Sequence, residues 1–262
     1  MNSSVKNKEI LITKSKTESE KSVHMLTDAG AKIIYFPTIK IIPIIDSPEL
    51  NKIRNNLDAF DFLIFTSINS AEIFNKFVLK NNLDLSKIKV AVIGKSTFEF
   101  CEALGINVNI IPDEFSAKGL LGKLSSINLS GKNILIPCSS LSRDELRIGL
   151  TELGANVNSV PIYDVVKNYV EELEEEINHI KKRKPDVFLF TSPSSFENFL
   201  SLAGFEQLSD YFDGSIIAAI GTTTENAIHE FNLTVNIVPQ IFTVEGASEA
   251  IIRYFNITAN LV

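Results

Sequence analysis

Residues 90–105 read VAVIGKSTFEFCEALG, and residues 217–232 read IAAIGTTTENAIHEFN. Each stretch joins a short apolar run to a helix-forming segment through an Ile-Gly-x-x-Thr turn. An apolar run with no alternation is a strand covered on both faces, the mark of a parallel sheet flanked by helices. Neither turn is a nucleotide fingerprint, because G-x-x-x-x-G-K-[ST] and G-x-G-x-x-G are absent from both. What remains is a strand end followed by a helix start, present twice.

Two further pairs of segments match in the same order. KEILITKSK (8–16) pairs with KNILIPCSS (132–140), followed by LTDAGAKIIYFPTIKI (26–41) and LTELGANVNSVPIYDV (150–165). FDFLIFTSINSAEIFNKF (60–77) pairs with PDVFLFTSPSSFENFL (185–200). The offset drifts only from 124 residues (Gly30 and Gly154) to 127 (Gly94 and Gly221), as in a duplicated unit with small loop insertions. A repeat of this length is domain-sized, not a solenoid module. The first copy reads as ILIT, a helix to Gly30, KIIYF, FLIFT, a helix from about residue 69, VAVI, a helix from about residue 97, and VNII. The second repeats it with ILIP, NSVPIY, VFLFT, IIAAI and VNIV. Gly30, Gly105 and Gly154 are placed to end helices as C′ residues. EELEEEINHIKKRK (171–184) has its acids first and its bases last, which suits the dipole of a solvated helix. The reading is an α/β protein with two parallel-sheet domains.

With 262 residues, 45% of them apolar, the chain can bury one large core or two ordinary ones. The first sixteen residues hold no apolar stretch long enough for a signal peptide, and no later run approaches a membrane span, so a soluble cytoplasmic protein is expected. A net charge of −7 argues against a nucleic-acid footprint. An acidic ligand still fits if its site is locally positive. Cys101 and Cys138 lack metal-ligand spacing and read as buried thiols. His24, His179 and His229 fall on helices among polar neighbours and are expected at the surface.

In parallel α/β sheets ligands sit beyond the carboxyl ends of strands, where helix starts offer unpaired N–H groups. Every matched turn lies at such an end, and each is rich in hydroxyls. The candidates are Thr13 and Lys14 after ILI; Ser67 and Ser192 in the two Phe-Thr-Ser turns; Lys95, Ser96 and Thr97 after the first Ile-Gly; Ser139 after ILIPC; and Thr222, Thr223 and Thr224 after the second Ile-Gly. Each hydroxyl could equally be an N-cap serving its own helix. One asymmetry stands out: Tyr163 in VPIYDV takes the place of Ile39 in FPTIKI. A buried phenol wants a hydrogen-bond partner, so Tyr163 is either a packing residue or a proton donor.

The ordered set ILITK, FLIFTSINS, VAVIGKSTFEFCEALG, FSAKGLL, LGANVNSVPIY, VFLFTSPSS, AAIGTTTENAI and VPQIFTVEGASEAI resembles the uroporphyrinogen-III synthase family over nearly the whole chain. The resemblance implies two flavodoxin-like domains joined by a two-segment linker. Residues 1–37 with 168–262 would form one discontinuous domain and 43–161 the other, with linkers at 38–42 and 162–167. It implies an enzyme, a lyase of haem biosynthesis that closes hydroxymethylbilane to uroporphyrinogen III with inversion of the last pyrrole ring and loss of water. No metal or organic cofactor is implied. Tyr163 matches the family's cleft tyrosine, Thr97 and Thr224 match the threonines of its two G-x-x-T turns, and Ser67 and Ser192 match the serines of its F-T-S turns. The substrate's carboxylates would meet helix starts and hydroxyl rims. The expected partner is the linear tetrapyrrole alone, handed over by hydroxymethylbilane synthase to a monomer, with no nucleic acid or membrane. Two departures from the family pattern bear on contacts: Lys14 replaces the common arginine and loses its bidentate fork, and CSSLSR (138–143) lacks a usual glycine. The other readings are a two-domain ligand-binding or sensor protein of the periplasmic-binder type, and a flavodoxin-like electron carrier without evident flavin-stacking aromatics at its rim.

Overall fold

The computed structural model describes residues 5–205 and 208–259. Ten strands are present among them: β1 (Glu9–Ile12), β2 (Lys32–Tyr35), β3 (Ile39–Pro43), β4 (Phe62–Phe65), β5 (Lys89–Val92), β6 (Val108–Ile110), β7 (Asn133–Ser139), β8 (Asn156–Lys167), β9 (Val187–Phe190) and β10 (Ile216–Ala219). The chain divides into two compact units, one made of residues up to Lys40 together with those from Lys167 onward, the other Ile41–Val166.

The first unit holds a sheet in the order β10-β9-β1-β2, all parallel, with Ile237 bridging in parallel to Ala218 at its outer edge. This is the 2-1-3-4-5 order of flavodoxin-like sheets. The second unit orders its strands β3-β8-β7-β4-β5-β6. Within it β8-β7-β4-β5-β6 is the same 2-1-3-4-5 order, circularly permuted because β7 and β8 follow β4 to β6 in the chain. Each unit therefore takes its first two core strands from one repeat and the rest from the other.

Strand faces follow the period of two. In β9, Phe188 and Phe190 enter a phenylalanine cluster with Phe36, Phe196 and Phe199, while Val187 and Leu189 pack on the opposite face with Ile10, Ile12 and Ile251. In β4, Leu63 and Phe65 face one core and Phe62 and Ile64 the other. Burial on both faces explains why these runs show no polar alternation. Gly30, Gly105 and Gly154 do end their helices, at φ of 88°, 74° and 86°.

Three local expectations change. The helix expected to run to Gly30 is two short ones, Lys16–Ser19 and His24–Asp28. Ser19 Oγ donates to the Ser15 carbonyl at 2.7 Å, a side-chain bond that competes with helix propagation. The VNIV run forms only the bridge at Ile237. The segments 38–42 and 162–167, expected as extended linkers, are extended and lie largely within strands β3 and β8, with Ile44 N–H donating to the Ile162 carbonyl at 2.8 Å. Backbone in a half-buried β-branched segment needs partners, and the neighbouring strand supplies them. His179 also differs from a plain surface residue: its exposed ring reaches the buried Glu9 carboxylate at 3.0 Å, with Arg183 Nε on the other oxygen at 3.3 Å.

The duplication persists in single hydrogen bonds. Asp61 accepts from Lys132 Nζ at 2.8 Å and from Asn133 N–H at 2.9 Å. Its counterpart Asp186 accepts from Lys8 Nζ at 2.8 Å and Glu9 N–H at 2.9 Å. Each clasp ties the amino ends of two central strands together. The bond from Lys132 holds the Asp61 carboxyl below its usual range, with help from the Asn133 N–H. For Asp186, burial pushes upward, and the Lys8 ammonium and the Glu9 N–H outweigh it, so the net shift is also downward. A carboxylate with a depressed native pKa contributes stability that is complete above its unfolded value near 3.9 and is lost as pH falls through the native value. Asp186→Asn is thus expected to lower stability by about 1–3 kcal/mol at pH 7 and to shrink the loss of stability below about pH 4, measured by urea unfolding across pH. An unchanged acid limb would exclude the clasp as its source.

Candidate active site

In both units the order of strands reverses beside the first core strand, between β1 and β9 in one and β7 and β4 in the other. Ligands of such sheets sit outside the carboxyl ends at that point. In the first unit the place is filled by hydroxyls. Thr13 Oγ1 lies within hydrogen-bond distance of the Leu189 carbonyl (3.3 Å), Thr191 Oγ1 (3.3 Å) and Ser195 Oγ (3.0 Å). Thr13 is buried, and Lys14 beside it is half-buried with no ion pair among the described residues. Thr13 therefore locks two strand ends, and Lys14 is the group free to meet an anion.

The Phe-Thr-Ser turns use their serines as caps. Ser67 Oγ accepts from Ser70 N–H at 3.1 Å, Ser192 Oγ accepts from Ser195 N–H at 3.0 Å, and both helices, Ile68–Lys80 and Pro193–Ala203, carry complete capping boxes. The Ile-Gly turns are built otherwise. Gly94 and Gly221 are the N-caps of Lys95–Ala103 and Thr222–His229, and neither helix has a side-chain cap. Thr224 N–H turns back to the Gly221 carbonyl at 3.1 Å, leaving those of Thr222 and Thr223 without a partner inside the helix. Thr97 and Thr224 point inward, only 5% and 2% exposed, whereas Lys95, Ser96, Thr222 and Thr223 are exposed. Lys95 makes only a loose pair with Glu99 at 3.7 Å. The two turns thus present bare N–H groups with exposed cationic or hydroxyl side chains, the arrangement that holds carboxylates.

Tyr163 lies on β8, 6% exposed, its hydroxyl 3.1 Å from Ser67 Oγ. A register shift between Cys138 and Ser139 places Ser139 opposite Tyr163. Ser139 and Tyr163 both line a cavity of about 370 Å³ in the second unit, together with Thr66, Ser142, Arg143 and Arg147. The structure brings Ser67, Ser139 and Tyr163 together at the second unit's switch point, and Thr13, Lys14 and Ser192 at the first's. Lys95, Ser96 and Thr97 are placed at one uncapped helix start and Thr222, Thr223 and Thr224 at the other.

Ser142 and Arg143 belong to the rim turn CSSLSR (138–143), whereas Thr66 and Arg147 were not among the residues singled out in the sequence. Thr66 precedes the capping serine and was overshadowed by it. Arg143 lies in the turn before Asp144, the N-cap of the helix Glu145–Glu152, and Arg147 lies within that helix, so no helix-face spacing in the sequence pairs them; the fold brings both to the cavity wall. Both cysteines are buried. Burial pushes the Cys101 thiol up to about 11 and raises that of Cys138 as well, so neither offers a thiolate nucleophile. Among the described residues no helix is long and apolar enough to cross a membrane.

Known proteins resemble this chain in sequence and in fold. The family model described as uroporphyrinogen-III synthase HemD matches residues 20–249. A uroporphyrinogen-III synthase of Chlorobaculum parvum is 29% identical over 250 residues, covering 93% of this chain and 98% of the relative. One from Synechococcus elongatus is 26% identical, covering 93% and 94%. In structure, the synthetase of Helicobacter pylori aligns at a TM-score of 0.63 with 18% identity, covering 94% of this chain and 99% of its own. A mutant Thermus thermophilus synthase aligns at 0.57 with 14% identity, covering 95% and 98%. These two likenesses establish the fold, a two-domain α/β architecture of parallel sheets. The family model covers most of the sequence and both Ile-Gly turns, and on that ground the chain belongs to the uroporphyrinogen-III synthase family.

Proposed function

We propose that this chain closes the linear tetrapyrrole hydroxymethylbilane to uroporphyrinogen III, with loss of water and inversion of the last ring. The observation that carries the reading is the family match across residues 20–249. The two-domain binder or sensor reading is not favoured, because relatives spanning nearly the whole chain are synthases.

The substrate's acid arms are drawn to the uncapped helix starts at Gly94 and Gly221, where charge-assisted bonds contribute about 1.5–3 kcal/mol each. Lys14, Lys95, Ser96, Thr222 and Thr223 supply further contacts. Thr97 and Thr224, turned inward, hold the shape of those starts. Tyr163 donates a hydrogen bond to the departing hydroxyl, which leaves as water with the proton of the pyrrole nitrogen. The resulting azafulvene is attacked by the substituted carbon of the last ring, giving a spiro intermediate; the bond from that carbon to its original methylene bridge then breaks to give a second azafulvene, and the last ring's free α-carbon attacks it and loses its proton, closing the macrocycle with that ring inverted. Positioning carries most of the acceleration, since the cyclisation is intramolecular and needs the correct carbon brought to the electrophile. Ser67 orients the phenol, and Ser139 and Ser192 line the strand ends. The protein acts as a lyase in the cytoplasm, as a monomer, and receives its unstable substrate directly from hydroxymethylbilane synthase.

The test supplies hydroxymethylbilane and separates the oxidised products by isomer. Type III is expected to dominate, whereas uncatalysed closure yields type I. A product mixture no richer in type III than the enzyme-free control would sink the assignment.

A further inference from the structure

The two units are built to one pattern and part most sharply at the switch point. In the first unit Thr13 follows β1, and its N–H donates to the Leu189 carbonyl of β9 at 3.2 Å. Its hydroxyl also accepts from Thr191 N–H at 3.2 Å. The strands β1 and β9 are thereby paired as far as Ile12 and Leu189, and the ends beyond are tied together. In the second unit the residue at this place is Pro137, which has neither an N–H nor a hydroxyl. The pairing of β7 with β4 stops at Leu135 and Leu63. Thr66, the counterpart of Thr191, keeps a half-buried hydroxyl with no hydrogen-bond partner among the described residues.

The cavity of about 370 Å³ lies at this opening, and its walls divide by chemistry. Ile93, Ile136 and Leu146 form an apolar side, and Thr66, Ser139 and Ser142 supply hydroxyls. Arg143 is exposed at the mouth and has no ion pair among the described residues. Arg147 is already held, its Nε 2.8 Å from Asp144 Oδ1. Glu145 is in the first turn of Glu145–Glu152, where the helix dipole accommodates its charge. Cys138 is in the wall, but burial raises its thiol, so the cavity binds without a covalent step. An apolar wall, a hydroxyl rim and one uncommitted guanidinium fit a flat ring that carries a carboxylate arm. The volume, near the low end of the ~300–1,000 Å³ usual for ligand pockets, suits one ring and not a whole linear tetrapyrrole.

We propose that this cavity seats one acid-bearing pyrrole ring of the substrate, its carboxylate held by Arg143 and Thr66, and that Pro137 is the positioning residue that opens it. The identity of the ring rests on the function proposed above. The probe is a monopyrrole with one acetate and one propionate arm, titrated at up to millimolar concentration into methyl-labelled protein, alongside kinetics with hydroxymethylbilane. In the wild type the probe shifts the methyl signals of Ile93, Ile136 and Leu146. Arg143→Gln weakens probe binding about tenfold or more and raises KM for hydroxymethylbilane more than it lowers kcat, while Arg143→Lys recovers part of both. Pro137→Thr, which restores the residue of the first unit, abolishes the methyl shifts in a protein whose circular dichroism is unchanged. The proposal is overturned if the wild-type methyls do not respond, or if Arg143→Gln leaves probe affinity and KM unchanged. A wild type that makes no type III product would refute the proposed function, and the probe titration would still decide the cavity.

Discussion

Gly94→Asp is expected to lower kcat/KM for type III formation by about a hundredfold or more while leaving the thermal midpoint unchanged or slightly raised. Gly94 has extended backbone angles, φ −120° and ψ 153°, which any residue can adopt, and a Cβ there meets only Thr97 Oγ1 at 3.9 Å. Aspartate fits sterically and accepts from the bare N–H groups as an N-cap, a change worth a few tenths of a kcal/mol in favour of the helix over glycine. The same carboxylate occupies the donors proposed to hold the substrate and repels its acid arms. Losing two charge-assisted bonds of about 1.5–3 kcal/mol each corresponds to a hundredfold or larger effect. Steady-state kinetics with a parallel thermal melt check both halves, and Gly94→Ala serves as the control that adds a side chain without charge. Wild-type kinetics in the aspartate variant would remove the GKST turn from the binding site.

Tyr163→Phe is expected to reduce kcat by about 10- to 100-fold with little change in KM, the lower range for a group that assists by a hydrogen bond without transferring its proton outright. The ring is buried, and phenylalanine fills nearly the same volume, so the fold keeps its packing. The hydroxyl's described partner is Ser67, which still caps its own helix after the change, and stability should fall by no more than about 1 kcal/mol. A variant that retains full kcat would show that Tyr163 only packs.

The asymmetry that first singled out Tyr163, its replacement of Ile39, was visible in the repeat. Its partner was not, because Ser67 lies 96 residues away and each residue satisfies a local rule by itself. The hydroxyl-rich turns were legible in the same incomplete way. Ser67 and Ser192 look like Thr97 and Thr224 in composition, yet the serines cap their helices while the glycines before the threonines leave the helix starts bare. The difference lies in which residue takes the N-cap angles, a matter of one or two positions that composition blurs. Pro137 was equally plain to read, but its consequence, a ladder that stops early and a threonine left without a partner, belongs to the strand next to it.

By itself the sequence determined the elements and their repetition. Apolar runs of four or five residues become strands buried on both faces, glycines at positive φ stop helices, and the matched order of segments announces a duplication, all through interactions within a few residues. Which half of each repeat joins which was an expectation carried by the family resemblance and not by the residues' own patterns, and it is the tertiary structure that decides it. KEILI and KNILI are nearly interchangeable strands, and either could in principle lie beside FLIF or VFLF. Parallel pairing requires non-local ladders, and their choice depends on how faces pack and on clasps that close across 71 residues in one unit and 178 in the other. That choice sets β1 beside β9 and β7 beside β4. It thereby determines which hydroxyls are tied to each other and which are left to meet a ligand.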